Sequence, residues 1–109
     1  MRVTDAPVAQ LTIPGELVRT RRFDVDVQLL VRVGANAARS EMGLSLEIDG
    51  SRQWSRSLPG STAGETDTLD YHCRLTIEPG RDTRLRARAS TRQCSLLSLT
   101  LSAVEEPQS

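Results

Sequence analysis

The sequence predicts an all-β fold: an antiparallel β-sandwich forming a single domain over residues 1–109. Three observations carry that expectation. Apolar and polar residues alternate with period two in several separate stretches, and no stretch shows the spacing of a long helix. The turn dipeptides Pro14-Gly15, Asp49-Gly50 and Pro79-Gly80 punctuate those stretches. The alternation leaves each strand with one apolar face, and two sheets closed over one core hide all those faces together.

Taken in order, residues 1–9 are polar and expected to be loose, as are 105–109. Residues 10–13 form a short first strand, and Pro14-Gly15 ends it. Residues 16–22 (ELVRTRR) read either as an extended lead-in or as part of the next strand. Residues 23–33 (FDVDVQLLVRV) give the clearest strand of the first half: Phe23, Val25, Val27, Leu29, Val31 and Val33 face one way, and Asp24, Asp26, Gln28 and Arg32 the other. Residues 34–41 form a loop with room for a helical turn.

Residues 42–49 (MGLSLEID) turn Met42, Leu44, Leu46 and Ile48 inward, Asp49-Gly50 is a hairpin signal, and 52–58 return. A two-residue turn would place Trp54 on the face opposite Leu46, whereas an odd loop with a left-handed Gly50 would put it across from Leu44 or Leu46. The odd loop is expected, because it takes the only Trp into the core. Residues 59–68 form the longest irregular stretch. From 69 onward the pattern reads as consecutive antiparallel strands: 69–77, then 83–89, then a polar corner at 90–93, then a Leu-rich strand with Leu97, Leu99, Leu101 and Ala103 inward. The expected core gathers Val25, Val27, Leu29, Val31, Leu44, Leu46, Ile48, Leu75, Ile77, Leu85, Leu99 and Leu101.

Composition narrows function. Acidic and basic residues number 14 each, so the formal net charge is zero, which argues against a dedicated nucleic-acid or membrane binder. Every basic residue is arginine, the cation that pairs bidentately with carboxylates and phosphates. No apolar run approaches the ~18 residues that span a bilayer. Residues 1–16 carry Asp5 and two prolines and lack an apolar signal core. The chain is thus expected to be cytoplasmic, a mature secreted product or a fragment of something longer, with the first favoured.

Ser45-Leu46-Glu47-Ile48-Asp49-Gly50, then residues 71–77, Pro79-Gly80, residues 83–88 and a closing strand over 97–104 together resemble the jelly-roll sandwiches of carbohydrate-binding modules and galactose-binding-like domains. In those domains a strand ending in a DG turn is followed by a strand, a PG turn, a strand of alternating basic and small residues, and a Leu-rich last strand. The resemblance runs from Phe23 onward and consists of sandwich grammar rather than ligand residues. It implies a jelly-roll sandwich acting as a binding or accessory module, with carbohydrate as the leading ligand. Members of the family bind sugars through exposed aromatic rings and hold a structural calcium. Here aromatics make up 3% of the chain, and no acidic cluster matches a calcium loop.

The candidate ligand residues are Trp54, Tyr71, His72, Arg84, Arg86 and Arg88. An exposed ring beside polar groups is a stacking platform or an interface anchor, and a buried one is core; the inward parity of Trp54 and Tyr71 favours core. Arg84, Arg86 and Arg88, with Arg74 and Arg92, make either a basic face for an anionic sugar, phosphate or acidic partner, or a wet face paired with neighbouring carboxylates. His72 and Cys73 are neighbours on a strand and point to opposite faces, so they make no catalytic pair. No phosphate loop, nucleophile elbow or metal-ligand spacing is present, so no enzyme, metal or cofactor is expected. The alternative function is a protein-interaction or assembly subunit that packs a sheet face on a partner chain, with self-association left open and Leu30, Leu96 and Val104 as the outward apolar residues. An even loop at Thr91-Arg92 would turn Cys94 and Leu96 inward and require a bulge before Leu97, whereas an odd loop would need no bulge and turn Cys94 outward. Cys73 and Cys94 are expected to be free thiols, on strands separated by the 83–89 strand in a simple meander, although a jelly-roll crossover could bring those strands to facing or adjacent positions.

Overall fold

The computed structural model describes residues 1–4 and 7–107. Its strands are β1 (Arg2–Thr4), β2 (Val8–Ile13), β3 (Arg21–Val33), β4 (Glu41–Ile48), β5 (Ser51–Pro59), β6 (Thr66–Ile77), β7 (Thr83–Arg92) and β8 (Cys94–Glu105). They form two four-stranded sheets, sheet A in the order β1-β8-β3-β6 and sheet B in the order β2-β7-β4-β5. All pairings are antiparallel. One 3-10 turn, Ala37–Arg39, sits in the loop before β4.

β1 pairs with β8, β2 with β7, β3 with β6 and β4 with β5, so the first half of the chain lies rolled against the second. This corrects the expected meander. The strands from residue 69 onward are where the alternation puts them, but β6, β7 and β8 alternate between sheets instead of pairing in sequence. Alternation fixes which face of a strand is buried, not which strand lies beside it. The β7–β8 corner switches sheets at Gln93, whose φ of 56° is left-handed. The Gly34 amide donates to the Gln93 carbonyl at 2.8 Å, and a Cβ at Gly34 would collide with that backbone.

The core rows follow the period-two reading. In β3 every odd residue from Arg21 to Val33 is buried. Of the expected core set only Ile48 and Leu75 stay half-exposed, and both pack against the rest. Each fully buried Val or Leu contributes ~1.5–3 kcal/mol relative to exposure. Leu97 departs from its expected inward place and is 44% exposed. Leu30 pairs with Ser98 and Val31 with Leu96, so Leu97 is the extra residue of a bulge. The bulge lets Cys94 and Leu96 face the core on one side of it and Leu99, Leu101 and Ala103 on the other.

The hairpin corrects the expected odd loop while keeping its result. Ile48 pairs with Ser51 across a two-residue turn in which Asp49 and Gly50 have φ of 51° and 83°. Two left-handed residues match the right-handed twist of the flanking strands. Leu46 nevertheless pairs with Trp54 and Glu47 with Arg52, so Gln53 is a bulge residue that restores the inward parity of Trp54. The Asp49 carboxylate then accepts from the Arg84 amide at 2.9 Å and from Arg81 Nη2 at 3.1 Å, tying the turn to the start of β7.

The expected loose start is also corrected: β1 lies within residues 1–9, β2 begins at Val8, and Ala9 is fully buried. The Ala103 amide donates to the Met1 carbonyl at 2.8 Å, and the terminal ammonium donates to the Ala103 carbonyl at 2.8 Å. Asp5 and Ala6 fall outside the described residues, as do the last two residues of 105–109, while β8 takes in Glu105. At the other end of the core Arg21 is buried. Its Nη2 donates to the Pro14 carbonyl at 2.7 Å, and its guanidinium lies 5.4 Å from the Phe23 ring centre.

Both thiols are free, for a different reason from the expected one. β6 and β8 are separated by β3, not by β7. Cys73 sits opposite Val25 and Cys94 opposite Val33. Eight positions along β3 part them by roughly 26 Å, against a disulfide reach of ~7 Å.

Candidate functional site

The six candidate residues fall in three separate places. Trp54 on edge strand β5 and Tyr71 on edge strand β6 meet across the gap between the sheets. Their rings are stacked with centroids 4.3 Å apart and planes 11° apart, and both residues are half-buried against the core. The pair closes one long side of the sandwich, so each ring spends one face on the other. Burial pushes the Tyr71 phenol above its usual range, and the neighbouring Cys73 adds to the shift. Burial likewise pushes the Cys73 thiol up; the Tyr71 hydroxyl offsets part of this, and the Asp26 charge adds to it. A thiol held protonated in this way is a poor nucleophile.

His72 is on the outer face of sheet A, with its side chain 56% exposed and Nε2 3.4 Å from Asp24 Oδ1. Arg74 is on the same face, with Nε 2.7 Å from Glu106 Oε1 and 3.9 Å from Asp24 Oδ1. Arg74 therefore leaves the expected basic face: the strand that carries it belongs to the other sheet. Of the residues expected as outward apolar ones, Leu96 instead packs on the core. Leu30 and Val104 do not join up, although the 44%-exposed bulge residue Leu97 lies beside Leu30. Leu30 pairs with Ser98, and Val104, 58% exposed, pairs with Asp24 six positions away. Asp26, Gln28, Thr100 and Ser102 lie between them.

Arg84, Arg86, Arg88 and Arg92 do form a row along the outer face of sheet B. Arg88 Nε lies 3.4 Å from Glu47 Oε1, and Arg92 Nη2 lies 2.7 Å from Glu41 Oε2. Arg86 bonds the amide oxygen of Gln10, with that amide oriented oxygen-inward, through Nη2 at 3.0 Å and Nε at 3.1 Å. Arg84 shares a small depression with Thr12, Asp49 and Asp82, and its guanidinium makes no ion pair among the described residues.

Beside this row lies a groove of about 380 Å³ that the sequence reading did not single out. Gly43 and Ser45 of β4, Ser55 and Ser57 of β5 and Ser90 of β7 line it, with Arg52, Arg56 and Arg88. Register builds it: Gly43 pairs with both Ser57 and Ser90, and Ser45 with Ser55 and Arg88. Small side chains on three adjacent strands thus fall side by side and hollow the sheet surface. A Cβ at Gly43 would run into Ser90 Oγ and come within 3.2 Å of Ser57 Oγ, so Gly43 is the low point between two hydroxyls. The signal was present in the sequence as glycine and serines on outward rows, but it needs the pairing to become a site. Among the described residues no group of three or more His, Cys, Asp or Glu side chains is placed to hold a metal ion.

No protein-family model matches the chain, and no curated protein matches it in sequence. Among solved structures, the dimeric latent PorU from Porphyromonas gingivalis is similar at 15% identity with a TM-score of 0.52. That match covers 92% of this chain and 10% of the PorU chain. At this identity the likeness speaks for the fold alone.

Proposed function

We propose that this chain is a non-catalytic jelly-roll binding module, that its ligand is a carbohydrate, and that the ligand lies on the outer face of sheet B. The observation that carries the reading is the groove over Gly43, a recess with a hydroxyl floor and guanidinium walls. Hydroxyls and guanidinium groups are hydrogen-bonding partners for the hydroxyls of a sugar. The strand orders β1-β8-β3-β6 and β2-β7-β4-β5 support the jelly-roll assignment, since two nested Greek keys leave the first strand beside the last. A non-catalytic role is in keeping with the single histidine paired to Asp24 on the far sheet and with the raised Cys73 thiol, since neither has an activated nucleophile beside it.

The second reading, a protein-interaction or assembly subunit, is favoured by one observation. Leu17 and Val18, adjacent in the loop before β3, are 85% and 84% exposed. A glycan array run beside a light-scattering mass measurement separates the two. Retention on glycans by a monomer supports the binding module. A stable dimer that retains no glycan replaces it with the assembly reading.

A further inference from the structure

We infer that the ligand seated in this groove carries an anionic group, a sulfate or carboxylate, so that the glycan is an acidic one; this rests on the binding-module reading. The chain as a whole is charge-balanced, with 14 acidic and 14 basic residues. The outer face of sheet B is not. By register Arg52, Arg84, Arg86, Arg88 and Arg92 lie on it against Glu41 and Glu47. Glu41 is taken by Arg92. Glu47 is therefore the one carboxylate amid Arg52, Arg86 and Arg88, and it reaches only Arg88, at 3.4 Å. The partner of Arg86 is the neutral amide of Gln10, which satisfies its donors and leaves its charge. Arg52 has no ion pair among the described residues. Near Arg84 the carboxylates of Asp49 and Asp82 restore the balance, so the excess is concentrated at the groove.

The lining has the same bias. No carboxylate lines the groove. Arginine offers donors only, and the Ser57 and Ser90 hydroxyls, which make no hydrogen bond among the described residues, face each other over Gly43. Unused donors on hydroxyls that close over a buried glycine, beside free guanidinium groups, call for a ligand group rich in acceptors. An oxyanion meets that demand and gains charge-assisted bonds from Arg52 and Arg88, which a neutral sugar hydroxyl does not.

The test is a titration of the full chain with a heparin-derived hexasaccharide, its counterpart made neutral by desulfation, N-acetylation and reduction of the carboxyl groups (the desulfated sugar) and polyglutamate, repeated in 50 mM and 300 mM salt. The expected result is that the sulfated sugar binds about tenfold tighter or better than the desulfated one, and that the difference shrinks in high salt. Arg52→Gln with Arg88→Gln removes the preference without lowering the melting temperature, since both side chains are exposed. Gly43→Ala displaces the Ser90 hydroxyl and crowds that of Ser57, and weakens binding several-fold with every charge intact. Should that variant fail to fold, Ser57→Ala with Ser90→Ala removes the hydroxyls without adding volume and carries the same expectation. Equal binding of the desulfated sugar overturns the inference and leaves the binding module standing. An unchanged preference in the double arginine variant overturns it by placing the anion site elsewhere. Polyglutamate binding as tightly as the sulfated sugar makes the occupant an acidic peptide and also overturns it. Failure of both hexasaccharides, together with an empty glycan array, removes the binding-module reading itself.

Discussion

Removing the stacked aromatic pair tests whether the long side of the sandwich is closed. Trp54 and Tyr71 stack at 4.3 Å between two edge strands, with each ring half-buried. Full burial would make a Trp→Ala change cost ~3–5 kcal/mol, and half burial brings Trp54→Ala to about 2 kcal/mol. The stacked contact itself is worth ~0.5–1.5 kcal/mol beyond burial. It appears as the coupling in a double-mutant cycle of Trp54→Ala, Tyr71→Ala and the pair. Urea unfolding followed by far-ultraviolet circular dichroism reads both quantities, because the single substitution removes the fluorophore. With a urea slope of ~1–3 kcal/mol per molar, a loss of about 2 kcal/mol moves the midpoint by roughly 1 M, and in a heat melt by about 8–16 °C. A coupling below ~0.3 kcal/mol would refute the contact. The rings would then stand apart, and an exposed aromatic platform would return as the ligand site.

Three further outcomes come from the same geometry. Deleting Gln53 removes only the bulge residue and leaves Trp54 opposite Leu46, so the emission of Trp54 and the melting curve should stay near those of the parent; a red-shifted emission would contradict the register. Leu99→Ala empties a fully buried position opposite Leu29 and should cost ~2–5 kcal/mol by urea unfolding, and a cost below about 1 kcal/mol would mean that the β8 faces are reversed. Alkylation in urea without reductant should find two thiols, while in the native protein Cys73 should react slowly, its rate rising only above the usual thiol range; finding no thiol would show a bridge that the separation along β3 forbids.

Side-chain orientation was legible in the sequence. The rows of β3, β4 and β7 came from simple alternation, because a sheet with one wet face must segregate its residues with period two. Pairing could not be read, because it is decided by contacts far apart in the chain. Thus β6, β7 and β8 resembled a meander, although each lies beside a strand from the first half of the chain. Bulges were only half legible: an inward Cys94 already required one before Leu99, but nothing in the sequence decided for it, and the one in β5 gave no sign. Gln53 and Leu97 carry no distinctive chemistry, yet each inserts one residue and reverses the parity of the rest of its strand. The groove was hidden for both reasons. Gly43, Ser57 and Ser90 become neighbours only through two pairings and one bulge, whereas the arginine row, contained within a single strand, was visible at once.

Residue-resolved mapping of the ligand face is the most direct test of where this domain binds. The backbone amide spectrum of the labelled chain, recorded with and without the glycan that the array retains most strongly, supplies it. The expected changes centre on Ser45, Arg52, Ser55, Ser57, Arg88 and Ser90, the lining of the sheet B groove. Changes centred instead on Asp26, His72 and Thr100 would put the ligand on the outer face of sheet A and contradict the assignment.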